Sequence, residues 1–146
     1  MQDVNQIRKD FPMLNGKKMS GQPLVYLDNA ATTFKPQSVI DAVVKYYTEE
    51  TCNAHRGDYE LSAMVSDAYE ACRSAIADMI HCSSNEVIFT SGASGSLNLV
   101  AYGYGRKHLK AGDVILSTEA EHASNILPWF KVAEETGAVI EYIPLD

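Results

Sequence analysis

The sequence is poor in features that mark extracellular, membrane-spanning or zinc-binding proteins. It has 146 residues and three cysteines, Cys52, Cys72 and Cys82, an odd number without C-x-x-C spacing. That count argues against a disulfide framework and a zinc site. No apolar run approaches the ~20 residues of a membrane span, and the N-terminus lacks the basic and apolar regions of a signal peptide. We therefore expect a cytoplasmic protein with reduced thiols, no metal and no membrane association.

Positive charge is also scarce. Twelve Lys and Arg stand against nineteen Asp and Glu, for a net charge of −7. An acidic chain repels nucleic-acid backbones at long range, so we expect no nucleic-acid partner. The small basic cluster 106–110 is interpreted as a solvated helix end. With 46% hydrophobic residues, the composition is typical of a folded globular chain.

The first half of the chain has the spacing of helices. The pattern predicts a short helix over 3–10, a polar loop over 12–23 and a short strand over 24–27. Pro36 is expected to open a helix to about residue 50. After a loop over 51–58, apolar residues at i, i+3, i+4 and i+7 predict a helix over about 61–80 with one buried face.

The second half alternates strands with helices. Strands are predicted over 86–90, 113–117 and 138–143, a glycine-bearing turn over 91–95, and helices over 96–104 and 125–136, with Gly137 as a C-cap. This order predicts an α/β fold, with helices around a mainly parallel sheet. The sequence stops just after a strand, so the domain is expected to be incomplete. The alternative is that 138–143 is an edge strand that ends it.

The turn Ser91-Gly92-Ala93-Ser94-Gly95-Ser96 joins a predicted strand to a helix. Free N–H groups and the helix dipole favour an anion at such a junction, and glycine allows close backbone approach. The turn matches neither a P-loop nor G-x-G-x-x-G. It is either a phosphate site or an ordinary small-residue helix start.

His122 follows the second predicted strand of this half. Ligands of open α/β sheets gather at the carboxyl ends of the strands, where the glycine turn is also expected. An imidazole there can stack on an aromatic ring or transfer a proton. Alternatively, His122 is a surface residue or caps the next helix.

Two further segments are candidates. His55-Arg56-Gly57 suits an anion or partner contact through the forked donors of arginine, although a solvated loop has the same composition. Asp28-Asn29-Ala30-Ala31-Thr32-Thr33 predicts a low-bulk turn, which either admits another group or is only a turn.

In this order, these pieces resemble one family. The segment Tyr26–Thr33 is similar to the opening motif of class V, fold-type I pyridoxal-phosphate (PLP) enzymes. Asn53-Ala54-His55-Arg56-Gly57 with Leu61-Ser62 resembles the Suf-type (group II) cysteine desulfurases and selenocysteine lyases. The match continues through Phe89–Gly92, Asn98–Ala101, Glu121-His122 and Asn125–Trp129.

The resemblance implies the N-terminal part of a fold-type I enzyme that converts L-cysteine to alanine and an enzyme-bound persulfide, for iron–sulfur cluster assembly. Residues 1–25 would be a helix-and-loop segment belonging to the small domain of relatives, and 26–146 the first part of the large PLP-binding domain. A homodimer and a sulfur-acceptor protein are implied as partners. By resemblance, Ala93 and Ser94 would hold the PLP phosphate, and His122 would stack on the pyridine ring and assist proton transfer. Ala30, Ala31, His55 and Arg56 would line the substrate site.

The chain departs from the family pattern in two ways. Relatives usually carry Thr-Thr-Glu where Ala93-Ser94-Gly95 stands, which weakens the expected phosphate contacts. Their Schiff-base lysine, nucleophilic cysteine, pyridine-binding aspartate and carboxylate-binding arginine would lie beyond these residues. We therefore expect the 146 residues alone to be inactive. The alternatives are another class V aminotransferase-like enzyme, a non-catalytic fragment that only dimerises or binds a partner, and a nucleotide-binding α/β module.

Overall fold

The structure, a computed structural model, describes residues 3–145. The chain divides into two compact units, Met1–Ser84 and Asn85–Asp146. The boundary that we predict at residues 25 and 26 concerns the domains of whole relatives, and it stays a prediction.

The first unit begins with the predicted short helix. Helix α1 spans Val4–Lys9, and the Asp3 carboxylate caps it by accepting the N–H of Asn5 at 2.9 Å. The predicted polar loop over 12–23 contains regular structure. It contains a 3₁₀ turn, Pro12–Leu14, and an antiparallel hairpin of β1, Lys18–Met19, and β2, Gln22–Pro23. Ser20 and Gly21 have φ of 51° and 78°, the backbone geometry of a tight two-residue hairpin turn.

Two long helices complete this unit. Helix α2, Gln37–Lys45, follows Pro36 and runs on as a π-helical turn, Tyr46–Glu50, as predicted. Helix α3 spans Glu60–Ile80 and ends at His81 in the left-handed conformation. The predicted buried face of α3 is wrong, because only Ser62 and Ala77 of this helix are buried while Met79 is 67% exposed.

The second unit is built on a parallel strand pair. Strand β3, Val114–Thr118, pairs with β4, Val139–Ile143, in the register Val114↔Val139 to Thr118↔Ile143. Helix α6, Ala123–Thr136, connects them and ends at Gly137, which has φ of 77° and confirms the predicted C-cap. Helix α6 begins two residues before its predicted start.

Two predicted strands do not form. Residues 24–27 and 86–90 join neither sheet of the described range 3–145; Glu86 ends a 3₁₀ turn, Ser84–Glu86, and the other residues have no regular secondary structure. Their apolar side chains are therefore partly in solvent, with Leu27 at 90% and Ile88 at 69% exposure. Of the three strands predicted for this half, the described residues therefore form two, paired as β3 and β4.

The helix after the glycine turn begins earlier than predicted. Helix α4 spans Ala93–Val100, continues as a π-helical turn, Ala101–Gly105, and ends in α5, Arg106–His108. The π-helical turn packs on α6, where Ala101 and Val132 are fully buried. A side chain at Gly105 would lie 3.0 Å from Trp129, so the glycine permits this close approach. The packing fixes the start of α4 against the start of α6.

Candidate functional site

The start of helix α4 has the geometry of an anion site. Gly92 is the N-cap, with φ of 142° and ψ of 177°, a backbone region that is almost exclusive to glycine. The Thr90 hydroxyl donates to the Gly92 carbonyl at 3.1 Å and accepts the Gly92 N–H at 3.3 Å. No side chain caps this helix. The N–H groups of its first turn therefore remain available to an anion.

Ser94 and His122 line one open cleft of about 360 Å³. Ser94 lies in the first turn of α4, and His122 immediately precedes α6. The packing of the two helices brings these predicted residues together. Ala93, which precedes Ser94 in the chain, does not line the cleft. The other lining residues come from the same two helices and the π-helical turn: Asn98, Tyr102, Ala123, Ser124, Leu127 and Pro128.

His122 caps helix α6. Its ring Nδ1 accepts the N–H of Ser124 at 3.2 Å and lies 2.8 Å from the Ser124 hydroxyl. His122 is exposed and has the helix-cap geometry, so both the surface and the cap alternatives describe this residue. Capping uses only Nδ1, so the face of the ring and Nε2 take no part in it. A cap and a ligand contact are therefore compatible in the same side chain.

One wall of the cleft is held by an ion pair. Tyr102 lies in the π-helical turn, and the Arg106 guanidinium sits over its ring at 4.2 Å from the centroid. Arg106 also donates to both carboxylate oxygens of Glu135, from Nε at 2.5 Å and from Nη2 at 2.8 Å. These hydrogen bonds raise the pKa of Arg106 and lower the pKa of Glu135 from its ordinary value of 4.5. The bidentate pair links α5 to α6 and fixes one side of the Tyr102 ring.

The cleft fits the cofactor that the resemblance implies. A phosphate needs N–H donors, and the uncapped first turn of α4 supplies them beside the Ser94 hydroxyl. An aromatic ring needs a flat partner, and His122 lines the same cleft. The volume is at the low end of ordinary small-molecule sites. The residues that would hold PLP are therefore the first turn of α4, with Ser94, and His122.

The low-bulk turn of the first unit forms as predicted. The carbonyl of Asp28 accepts the N–H groups of Ala31 and Thr32, each at 3.2 Å. The Tyr26 hydroxyl crosses the turn and donates to the carbonyls of Asp28 and Thr32 at 3.0 and 2.7 Å. Ala30 and Ala31 are exposed at the tip, so small side chains leave the backbone there open to approach.

The loop that carries His55 and Arg56 is docked on helix α3. His55 has φ of 61°; its N–H donates to the Ser66 hydroxyl at 2.8 Å, and its Nε2 lies 3.3 Å from a Glu70 carboxylate oxygen. The Ser62 hydroxyl accepts the N–H of Gly57 at 3.1 Å. Arg56 is exposed and forms no ion pair with any residue of the described range 3–145. Hydrogen bonds to Ser62 and Ser66 thus hold the loop on α3, and Arg56 is exposed to solvent.

Sequence reasoning missed three contributors to the cleft, Asn98, Tyr102 and Ser124. Asn98 donates from Nδ2 to the Ser94 carbonyl at 2.8 Å, one helical turn away. The i, i+4 spacing of Ser94, Asn98 and Tyr102 was the available signal, since it places all three on one face of a continuous helix. Ser124 stands two residues after His122, a spacing at which a helix cap reaches a backbone N–H.

Solved structures of similar fold are cysteine desulfurases. The chain matches the enzyme from Thermococcus onnurineus NA1 with a TM-score of 0.87 and 39% identity, over 100% of this chain and 34% of that one. It matches the Escherichia coli cysteine desulfurase CsdA with a TM-score of 0.80 and 34% identity, over 100% and 35%. The matched regions confirm the predicted α/β fold as the N-terminal part of a PLP-dependent enzyme fold.

Sequence relatives carry the same description. A probable cysteine desulfurase of Synechocystis is 48% identical over 96% of this chain and 33% of its own length. One of Vibrio cholerae is 47% identical over 99% and 36%. The chain thus spans about a third of the length of these relatives. The sequence profile described as Aminotransferase class-V matches residues 25–146, and the chain therefore belongs to the class V aminotransferase family.

Proposed function

We propose that the chain is the N-terminal portion of a PLP-dependent cysteine desulfurase of the Suf type. The reaction takes the sulfur of L-cysteine onto an enzyme thiol, so that the C–S bond breaks, an S–S bond forms, and alanine and a persulfide result. The observation that carries the proposal is the cleft shared by Ser94 and His122. It occurs in a chain 48% identical to a probable cysteine desulfurase.

The cofactor contacts are assigned to the cleft. PLP, when bound, supplies an electron sink for the bonds broken in an amino-acid substrate. The N–H groups at Ala93 and Ser94 and the Ser94 hydroxyl bind its phosphate, and the His122 ring stacks on its pyridine ring. With Ala93-Ser94-Gly95 in place of the usual Thr-Thr-Glu, a larger share of phosphate binding falls on backbone donors than in most relatives.

The substrate side is assigned to the first unit. Ala30 and Ala31 form a small-residue turn that leaves room for the substrate cysteine. Arg56 has no ion pair among residues 3–145, so its guanidinium is suited to an anion, and His55 beside it contacts Ser66 and Glu70. Residues 1–25 are assigned to the small domain of the whole enzyme, and 26–146 to the start of its large PLP-binding domain.

The same proposal implies the cellular location, the oligomeric state and the partners of the whole enzyme. The whole enzyme is a cytoplasmic homodimer that passes sulfur to an acceptor protein for iron–sulfur cluster assembly. The net charge of −7 disfavours nucleic-acid and anionic membrane partners. Among residues 3–145, no helix has the length and apolarity needed to cross a bilayer.

The test is product analysis on the protein as its host makes it. Incubated with L-cysteine and a thiol reductant, it should release alanine and sulfide in equal amounts and show the visible absorbance of PLP. Transfer of the amino group to a keto acid without sulfide would identify another class V enzyme instead. Absence of both PLP absorbance and turnover would instead support the alternative of a non-catalytic fragment that only dimerises or binds a partner.

A matched pair of serine variants tests the cofactor contacts. S94A removes a hydroxyl from the cleft, and S74A makes the same change on an exposed position of α3. We expect S94A to weaken PLP binding about tenfold, the effect of one hydrogen bond to a charged group. S74A should bind PLP like the unchanged protein. Equal PLP affinity in all three proteins would remove Ser94 from the site.

A further inference from the structure

The contacts of the His122 ring determine where its proton lies. A main-chain N–H can only donate, and that of Ser124 points at Nδ1 from 3.2 Å. Nδ1 must therefore present its lone pair, which leaves the proton of the neutral ring on Nε2. The Ser124 hydroxyl, 2.8 Å from the same nitrogen, must then donate as well, because Nδ1 has no hydrogen to give.

We propose that Ser124 is a positioning residue that holds His122 as the neutral Nε2–H tautomer. Nδ1 accepts two donors from the first turn of α6, and the outer edge of the ring carries a single N–H. Both residues line the cleft with Ser94. The main-chain N–H of Ser124 thus sets the location of the proton, because it can only donate, and the hydroxyl, which can donate or accept, holds the orientation of the ring.

The tautomer limits what His122 can do. In the neutral state Nε2 has a hydrogen and no free lone pair, while the lone pair of Nδ1 is occupied. His122 therefore donates a hydrogen bond from its outer edge and does not act as a base there. The role of this hydrogen bond in the cleft rests on the proposed function. The tautomer itself does not, and it can be measured without enzyme turnover.

The experiment is ring ¹⁵N NMR of histidine-labelled protein, purified as its host makes it, at about pH 8.5, where ordinary imidazoles are neutral. Long-range ¹H–¹⁵N correlations report which ring nitrogen carries hydrogen, and loss of a signal in H122N assigns His122. The exposed His108, whose ring stacks on Tyr104, is the internal reference. His122 should show a larger excess of the Nε2–H form than His108. An excess no larger than that of His108 overturns the proposal.

Two variants test the serine. S124A and S124P both lose the hydroxyl, but only S124P also loses the main-chain N–H, and proline is tolerated in the first turn of a helix. The Nε2–H to Nδ1–H ratio of His122 should stay high in S124A and fall roughly fivefold in S124P, the effect of one neutral hydrogen bond. Equal ratios in the two variants overturn the proposal. If S124P does not fold, the comparison of His122 with His108 in the unchanged protein decides. Sulfide release is not used, so a failed desulfurase assignment and a failed tautomer assignment remain distinguishable.

Discussion

The Asn53–Gly57 loop leaves no room for a side chain at Gly57. A Cβ there would lie 2.8 Å from the Cβ of the buried Ser62, and it would also collide with the Tyr59 ring. G57A should lower the free energy of unfolding by about 1–3 kcal/mol, the usual effect of overpacking. Urea unfolding followed by circular dichroism gives this number.

The control for this prediction is Gly103 in the π-helical turn, where a Cβ meets no atom within 4 Å. G103A should leave the protein as stable or make it more stable by about 0.5–1 kcal/mol, because alanine favours helical structure. Equal effects of G57A and G103A would show that the loop yields, and that its docking on α3 is looser than the structure shows.

Single residues explain how much of the cleft the sequence could predict. Ser94 and His122 follow segments with strand-like patterns. Because ligands of open α/β sheets bind at the carboxyl ends of the strands, the sequence predicts that both residues lie on that side of the sheet. Tyr102 enters the cleft because a π-helical turn packs on α6 and Arg106 covers its ring. The i, i+4 spacing indicates the face of Tyr102 and its contact with Arg106, but the packing on α6 has no signature in local spacing, because it joins residues far apart in the sequence.

At the scale of an element, the cap of α6 and the proposed cofactor contact can be separated. Asparagine is among the best N-caps but has no ring, whereas alanine offers neither function. H122A should lower the free energy of unfolding by about 1 kcal/mol, and H122N should stay within about 0.5 kcal/mol of the unchanged protein. Both should lose PLP affinity, measured by the absorbance of bound cofactor. Full PLP affinity in a stable H122N would limit His122 to the cap.

The link between α5 and α6 should depend on pH. Hydrogen bonds from Arg106 lower the pKa of Glu135 below 4.5. The ion pair therefore adds stability above the unfolded-state pKa of Glu135, and this contribution disappears as pH falls through the lower folded-state value. E135Q should be less stable than the unchanged protein at pH 7. The difference should shrink below about pH 4.

The matched variant is E134Q, the same change one residue earlier, at a side chain that is 73% exposed and that, within residues 3–145, pairs only with Lys131. Its effect at pH 7 should be smaller and more easily screened by salt, as for surface pairs. Urea unfolding of the three proteins at pH 7 and pH 3.5 tests both expectations. An E135Q effect that is the same at both pH values would exclude the ionised carboxylate as its cause.

Among the elements, helices were predictable and isolated strands were not. Helices α2, α3 and α6 close their hydrogen bonds internally, so spacing, Pro36 and Gly137 were sufficient to locate them. A strand needs a neighbouring strand, and the segments 24–27 and 86–90 have strand-like composition but belong to neither sheet of residues 3–145. The exposed apolar face of α3 has the same origin, because periodicity predicts a face but not what covers it.

Across the whole molecule, many large apolar side chains are exposed to solvent. In α2, Val39, Ile40, Val43 and Val44 are between 38% and 54% exposed along one helix. The buried hydrophobic residues of the described chain are instead few and mostly small: Ala77, Val87, Ala101, Val132 and Ala138. Contiguous exposed apolar surface usually marks an interface. This burial pattern agrees with a chain that spans a third of the length of its relatives.

The length of the match sets what we expect of the 146 residues alone, because they span about a third of the length of their relatives. On the proposed function, the groups that form the Schiff base and receive sulfur lie outside these residues, and removing one member of a catalytic unit usually removes most of its rate. The purified 146-residue chain, given PLP and L-cysteine, should therefore release no sulfide above a protein-free control. The whole protein should release it under the same conditions, and its intact mass should exceed 16.0 kDa. PLP-dependent sulfide release by the short chain would mean that a lysine and a thiol within these residues supply the chemistry, with Cys52, Cys72 and Cys82 the thiols to substitute next.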